Sequence, residues 1–490
     1  HNNFTFRNTY RMKISKSLMQ NKKVLKALLP SDDVIFFDFV VGSKDALAVY
    51  VDSITDREML GLEVLSPLKS SKISGGMKSI AKKITSANIK QVDEIKAAAD
   101  EILQGLTLIL IDGKIGGITV DLKKFDVRAI AEPPTELAIR GPRNGFIESI
   151  KTNLSLVRRY LKTPSLKIEM LQVGKYTSTA VALMSIDGIT DDKLTDKIRK
   201  KLQSIDIDGI PDSSYLTKML NERKNSLFKQ IGSTERPDVL IERMLEGRVG
   251  ILVDGSPFAL TLPYMLIEDF QTAEDYYISH YRANLVRTLR VFAIFFSVFL
   301  PGLFVAAELF HLQLIPLNFL LTIVNSIKGI PLSPSLEMFF ILLIFEILNE
   351  TSIRMPKYVG MALAIVGALV LGETAVNAGL VSTPSLLIMA MSGISIYTVP
   401  ELTETTSLLR FVVLIVAGSV GGYGIVLIEA FLVCYLCTTE NYGVPYAAPY
   451  SPLILNDLQD GIYMSDATSM PLRPEALKPK NKRRQNAKGK

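Results

Sequence analysis

The chain has no tryptophan, two cysteines and three histidines in 490 residues, and each scarcity excludes a class of chemistry. Cys434 and Cys437 are the whole thiol inventory, so no disulfide framework exists. Their C-x-x-C spacing would need further ligands to hold a metal, and it reads as one helical turn at the end of an apolar run. The imidazoles are His1, His280 and His311. The long polar stretch before residue 280 therefore has none for acid–base or triad chemistry. A nucleophile elbow and a P-loop are missing as well. "ISGGMKS" (73–79) carries glycines without the G-x-x-x-x-G-K-[ST] spacing and reads as a loop. These absences point to a protein that is not an enzyme and holds no metal and no cofactor.

Charge is scarce in one region only. Between Val291 and Glu440 there are 13 charged residues in 150, against 91 in the other 340. Hydrophobic residues make up 48% of the chain, and mean hydropathy is +0.26. A polar, soluble-looking N-terminal part is thus followed by a membrane part. Residues 1–30 hold seven Lys/Arg and no acid, and residues 473–490 hold eight with only Glu475. Both blocks read as solvated, disordered basic tails, and no nucleic acid is expected as a partner. No secretory signal is visible, and His1 suggests that the natural start lies upstream.

The polar half repeats itself. "ALAVYVDSITDREML" (46–60) matches "VALMSIDGITDDKL" (181–194): an apolar strand, an Asp at its end, then I-T-D opening a helix. "GLTLILIDG" (105–113) matches "GRVGILVDG" (247–255) in the same way. Two related α/β subdomains follow, 31–135 and 150–265, joined across "RGPRNGFIESI" (140–150). Asp-Gly at a strand end is a turn signal rather than a catalytic one. Arg140 and Arg143 either cradle an anion or open the second subdomain as a basic turn.

An all-α polytopic membrane domain is expected over 285–440, with apolar segments at 291–310, 314–329 (short of a full span), 335–352, 357–380, 383–400 and 411–437. Arg282, Arg287 and Arg290 precede the first, which places the N-terminal domain in the cytoplasm. Asn318, Thr322 and Asn325 form an uncharged polar row at i, i+4, i+7, suited to an interfacial helix or to a pore wall. In the third segment Glu346, Asn349 and Glu350 make one polar face that must meet protein or water, and Glu350 pairs with Arg354 at the interface. Glu346 and Glu373 are the acids with gating potential. Gly360, Ala364, Ala368 and Gly372, at i+4 spacing, mark a helix–helix contact. The last segment carries Gly418, Gly421, Gly422 and Gly424 and is one long helix or a broken, re-entrant one. Five spans would put the 441–490 tail outside, against its basic character.

Four long ordered blocks carry a resemblance. They are 139–177 ("IRGPRNGFIESIKTNLSLVRRYLKTPSLKIEMLQVGKYT"), 234–263 ("TERPDVLIERMLEGRVGILVDGSPFALTLP"), 346–382 ("EILNETSIRMPKYVGMALAIVGALVLGETAVNAGLVS") and 441–452 ("NYGVPYAAPYSP"). In these the chain resembles the A subunit of the GerA-type spore germinant receptors. The resemblance implies a spore inner-membrane protein with a transporter-like B subunit and a lipoprotein C subunit as partners. It also implies a homo-oligomer in lipid that forms a ligand-gated cation channel. The alternatives are a non-conducting membrane scaffold or part of a transporter, although no inverted repeat is found in the membrane half.

Overall fold

The computed structural model describes residues 12–70, 75–86, 88–124, 133, 135–136, 140–354 and 372–485. The chain divides into two compact units: residues 1–224, 230–263 and 471–490, and residues 225–229 with 264–470.

The first unit holds two five-stranded sheets, antiparallel at every pairing. One contains β1 (Val34–Val41), β2 (Lys44–Val51), β3 (Ile89–Val92), β4 (Leu106–Ile111) and β5 (Gly117–Asp121), in the order β1-β2-β4-β5-β3. The other contains β6 (Leu166–Val173), β7 (Thr179–Ile186), β8 (Gly232–Thr234), β9 (Val249–Val253) and β10 (Ala259–Leu262), in the same order, β6-β7-β9-β10-β8. In β2 and β4 alternate side chains serve opposite faces, as the strand period requires. Leu47, Val49, Leu108 and Leu110 lie in one core cluster, and Ala46, Ala48, Ile109 and Ile111 in the other. Both faces are covered, so these strands read as unbroken apolar runs.

The repeat extends to individual hydrogen bonds. Asp52 and Asp187 each follow the second strand of their sheet and donate a backbone N–H to the residue before the first strand, Asp33 and Ser165, both at 2.8 Å. Asp112 and Asp254 each follow the fourth-numbered strand of their set. Their Oδ1 atoms accept the N–H of Leu18 (3.1 Å) and of Ile150 (3.1 Å). Those two residues open α1 (Leu18–Leu28) and α3 (Ile150–Tyr160), capped by Ser17 and Ser149. Between them in sequence comes α2 (Ile95–Leu103).

α1 corrects the reading of a solvated tail over residues 12–30 and of 31 as a domain edge, while residues 1–11 lie outside the described residues. Leu25 and Leu28 enter the core beside Ile95 and Ile102 of α2, so burial of an apolar face outweighs the lysines on the other side. The far end needs the same correction. Residues 440–445 form a two-stranded hairpin, and residues 471–485 belong to the sheet unit, while 486–490 lie outside the described residues. There Arg473 donates to the Leu245 carbonyl at 2.6 Å, and the Lys480 N–H to the Ile189 carbonyl at 2.9 Å.

The sheet unit is completed by α4 (Asp192–Gln203), α5 (Ser213–Leu220) and α6 (Pro237–Glu246). The second unit is mostly helical: α7 (His280–Phe310), α8 (Leu317–Ile327), α9 (Pro334–Arg354), α10 (Thr383–Ile396), α11 (Thr403–Val420) and α12 (Gly422–Thr438). Among the described residues, His280–Phe310 and Pro400–Val420 are long and apolar enough to cross a bilayer. The unit is wider than 285–440, since 264–284 and 441–470 belong to it. Asp275 explains part of this. It binds Arg287 (3.0 Å) and Arg290 (2.7 Å) and fastens 272–276 to the start of α7, while Asp460 takes Arg287 at 2.9 Å. The first apolar helix consequently begins at His280 rather than 291.

The expected segment 411–437 is two helices. Gly421 sits at φ 72°, ψ −153°, a backbone region open essentially to glycine alone. The expected span 383–400 stops as a helix at Ile396. Most of 357–380, including Gly360, Ala364 and Ala368, lies outside the described residues.

Candidate functional site

Four helices converge on Arg410. Its side chain, 1% exposed, pairs with Glu346 of α9 at 2.5 Å. Its Nη1 lies 3.5 Å from Ser392 Oγ of α10, and that hydroxyl donates to the Ser297 carbonyl of α7 at 2.7 Å. Beside the pair, Tyr397 donates its hydroxyl to Asn349 Oδ1 at 2.5 Å. Of the polar face expected on α9, Glu346 and Asn349 meet protein, whereas Glu350 is exposed. Arg410 is a partner that the sequence pattern did not single out. An arginine three turns from a helix end inside an apolar run was the available signal.

Glu337 is 0% exposed at the N-terminal turn of α9. Its Oε1 accepts the N–H of Ser382, the cap of α10, at 2.6 Å, and its Oε2 has no partner. Glu308 of α7, 8% exposed, is its electrostatic neighbour and also keeps one oxygen unpartnered. The sequence reading did not mark Glu308.

The remaining candidates stay apart from this centre. Asn318, Thr322 and Asn325 are all exposed on α8, where Ile323 is the buried residue. Glu350 and Arg354 form an i,i+4 ion pair at 2.5 Å, with 60% and 78% of their side chains exposed. Glu373 is exposed, and an added Cβ on Gly372 would lie 3.4 Å from Leu386.

In the sheet unit a polar cavity of about 270 Å³ is lined by Ser53, Thr55, Asp56, Arg57, Lys124 and Lys151 among others. The Ser53 and Thr55 hydroxyls are buried there without partners. Burial tends to raise the Asp56 carboxyl, but hydrogen bonds from the Met59 N–H and Lys124 outweigh it and hold the group below its usual range. The cavity suits a small polar molecule. Arg140 and Arg143 do not line it.

A two-sheet unit joined to a unit of apolar helices defines the class. The family model described as Bacillus/Clostridium GerA spore germination protein matches residues 22–476. The chain is 34% identical to "Spore germination protein KA" of Bacillus subtilis (strain 168) over 482 residues, covering 96% of this chain and 89% of that one. It is 33% identical to "Uncharacterized membrane protein YfkQ" of the same organism, over 94% of this chain and 91% of the relative. A crystal structure of the N-terminal domain of the A subunit of the Bacillus megaterium spore germinant receptor GerK3 aligns at 29% identity with TM-score 0.41. The alignment covers 51% of this chain and 96% of that one. The chain belongs to the GerA spore germination protein family.

Proposed function

We propose that the chain is the A-type subunit of a nutrient-sensing germinant receptor, acting with a transporter-like B subunit and a lipoprotein C subunit. In this reading several copies assemble through their helices into a ligand-gated cation channel of the spore inner membrane. Family membership supports the receptor role, and the relative described as a membrane protein supports the placement.

One observation carries the channel: α8 is apolar, yet within its own chain it buries Ile323 and leaves Leu317, Phe319, Leu321 and Val324 exposed. Its open surface also bears Asn318, Thr322 and Asn325. Such a helix needs lipid on one side, and an uncharged polar row hydrates a path without trapping ions. The test is germinant-triggered potassium release from spores carrying Asn318→Leu or Thr322→Leu at matched receptor level. Normal release from both variants removes α8 from the pathway.

The sheet unit is cytoplasmic in this proposal. Residues 471–485 are hydrogen-bonded within that unit, so the intervening chain crosses the bilayer an even number of times. That favours a tail inside over the five-span count.

The scaffold alternative draws support from a different feature. Glu346 is paired with Arg410, which supports a structural role for this acid over that of a pore charge.

A further inference from the structure

Four stretches of the helical unit, two of them reaching into the start of α11 and the end of α12, meet in a knot of aromatic and acidic side chains. Residues 225–229 bring Phe228 against Tyr435 and Tyr446, with ring centroids 6.0 and 6.3 Å apart. The Leu227 carbonyl accepts a hydrogen bond from Thr405 Oγ1 at 2.6 Å. Lys229 pairs with Glu401 and lies over the Tyr264 ring, 5.5 Å from its centroid. Tyr264 donates its hydroxyl to Asp269 Oδ1 at 2.5 Å, and the Leu266 N–H donates to the Tyr446 carbonyl at 2.9 Å.

Two atoms in this knot lack what burial demands. Asp269 is 3% exposed, and its Oδ2 has no hydrogen-bond partner. The Tyr446 hydroxyl, on a residue 1% exposed, has none either, and Asp269 is the first charge acting on it. The charged groups facing Asp269 are Lys229, Glu401 and Glu268. The cation among them is engaged with Glu401. An ionised Asp269 would be desolvated, held by one phenol and flanked by two acids, and a proton relieves that cost.

We propose that Asp269 is a proton switch for the attachment of residues 225–229. Protonated, it accepts from Tyr264 and leaves Lys229 on Glu401. Ionised, it competes with Glu401 for Lys229 and loosens residues 225–229 from the start of α11. Burial pushes the Asp269 carboxyl up to about 7, with the Tyr264 hydroxyl and Lys229 pulling it down and Glu401 and Glu268 raising it further. The change of state therefore falls in the neutral range.

These 490 residues hold no tryptophan, which makes the test direct: Phe228→Trp gives this chain a single reporter within the knot. In detergent micelles titrated between about pH 5 and 9, emission should shift with a midpoint near neutrality. The shift should vanish when Asp269→Asn is added. Tyr264→Phe removes a hydrogen bond to the ionised form and should move the midpoint up. Glu401→Gln removes an acid and releases Lys229, and should move it down. A transition that survives Asp269→Asn overturns the proposal, as does a flat titration of a chain with native circular dichroism. Should the Asn variant fail to fold, midpoints unmoved by both Tyr264→Phe and Glu401→Gln overturn it equally.

Discussion

Arg158 of α3 closes a bidentate ion pair on Asp33, the residue before β1, with Nε–Oδ2 at 2.8 Å and Nη2–Oδ1 at 2.7 Å. The two side chains are 1% and 3% exposed, and one belongs to each sheet subdomain. Ser31 Oγ accepts from the same guanidinium at 2.9 Å, and the Asp32 N–H donates to the Ile168 carbonyl at 2.9 Å. Removing one partner strands a buried charge, so Asp33→Ala should destabilise the sheet unit by about 3–5 kcal/mol. Replacing the pair together, Asp33→Leu with Arg158→Met, should recover most of that loss. Urea midpoints of the four proteins check it; an additive double variant would show that the two charges are not coupled.

The fragment boundary follows from α1. Ile14, Leu25, Leu28 and Leu29 are each at most 9% exposed in the first core. Burying one such side chain contributes about 1.5–3 kcal/mol as an upper bound. Four of them approach the whole stability of a domain. A fragment of residues 12–263 should therefore unfold at higher urea than one of residues 31–263, which should aggregate or show a broad transition. Equal midpoints would mean that α1 is dispensable.

Glu242 sets a pH dependence for the same unit. Burial, then Glu246 and Asp238, push its carboxyl up to about 7, whereas an unfolded glutamate titrates near about 4.3. The folded state thus holds the proton more tightly than the unfolded one. The stability this confers is complete below the unfolded value and is lost as pH rises through the folded one. Glu246 works the other way: burial tends to raise it, but Arg248 and Arg243 prevail and lower it. Glu242→Gln removes the first effect alone. The variant should be more stable than the parent at pH 8 and level with it near pH 4, by thermal melts across that range; a constant difference at all pH values argues against it.

The duplication was legible because strand chemistry is local. An apolar run ending in Asp, then I-T-D, needs no knowledge of the rest of the chain, and the matching positions Asp52/Asp187 and Asp112/Asp254 occupy matching places in two sheets of one order. The chain ends were misjudged because lysine counts describe a surface and not the face beneath it. Leu25 and Leu28 lie seven and ten residues after Leu18, a helical stripe hidden among four basic residues from Lys16 to Lys26. Pairing across the helices was not legible at all. Glu346 and Arg410 are 64 positions apart, and no periodicity reports which helices adjoin. Glu350 and Arg354, one turn apart, could be read directly.

Gly421 supplies a test of the α11–α12 break. Its φ of 72° and ψ of −153° cost a residue with a side chain about 1–3 kcal/mol. A Cβ there would also stand 2.8 Å from the Phe310 ring. Gly422 has ordinary helical surroundings, and a Cβ on it would meet His311 at 3.3 Å, a side chain able to yield. Gly421→Ala should therefore lower the amount of chain recovered in the membrane fraction several-fold, and Gly422→Ala should do so only slightly. Equal recovery of the two would indicate a continuous 403–438 helix.

The sharpest test separates a pore charge from a structural one at Glu346. If Glu346 lines a conducting path, Glu346→Gln lowers potassium release at normal receptor level. If it serves to neutralise Arg410, the same substitution leaves a guanidinium buried among four helices, at a cost of about 3–5 kcal/mol, and the receptor level itself falls. The geometry favours the second outcome. Arg410 is 1% exposed and its Nε already lacks a partner, so the bundle has little left to satisfy it. Glu346→Gln should deplete the protein on immunoblots. Glu346→Leu combined with Arg410→Met, which removes both charges, should restore its level. Glu350→Gln is the control: that acid and Arg354 are 60% and 78% exposed, and an open pair contributes about 0–1 kcal/mol. Restored level with normal potassium release in the double variant would take Glu346 out of the conduction path. Restored level with lost release would return it there, and the Arg410 pair would then be a neutralised element of the path itself.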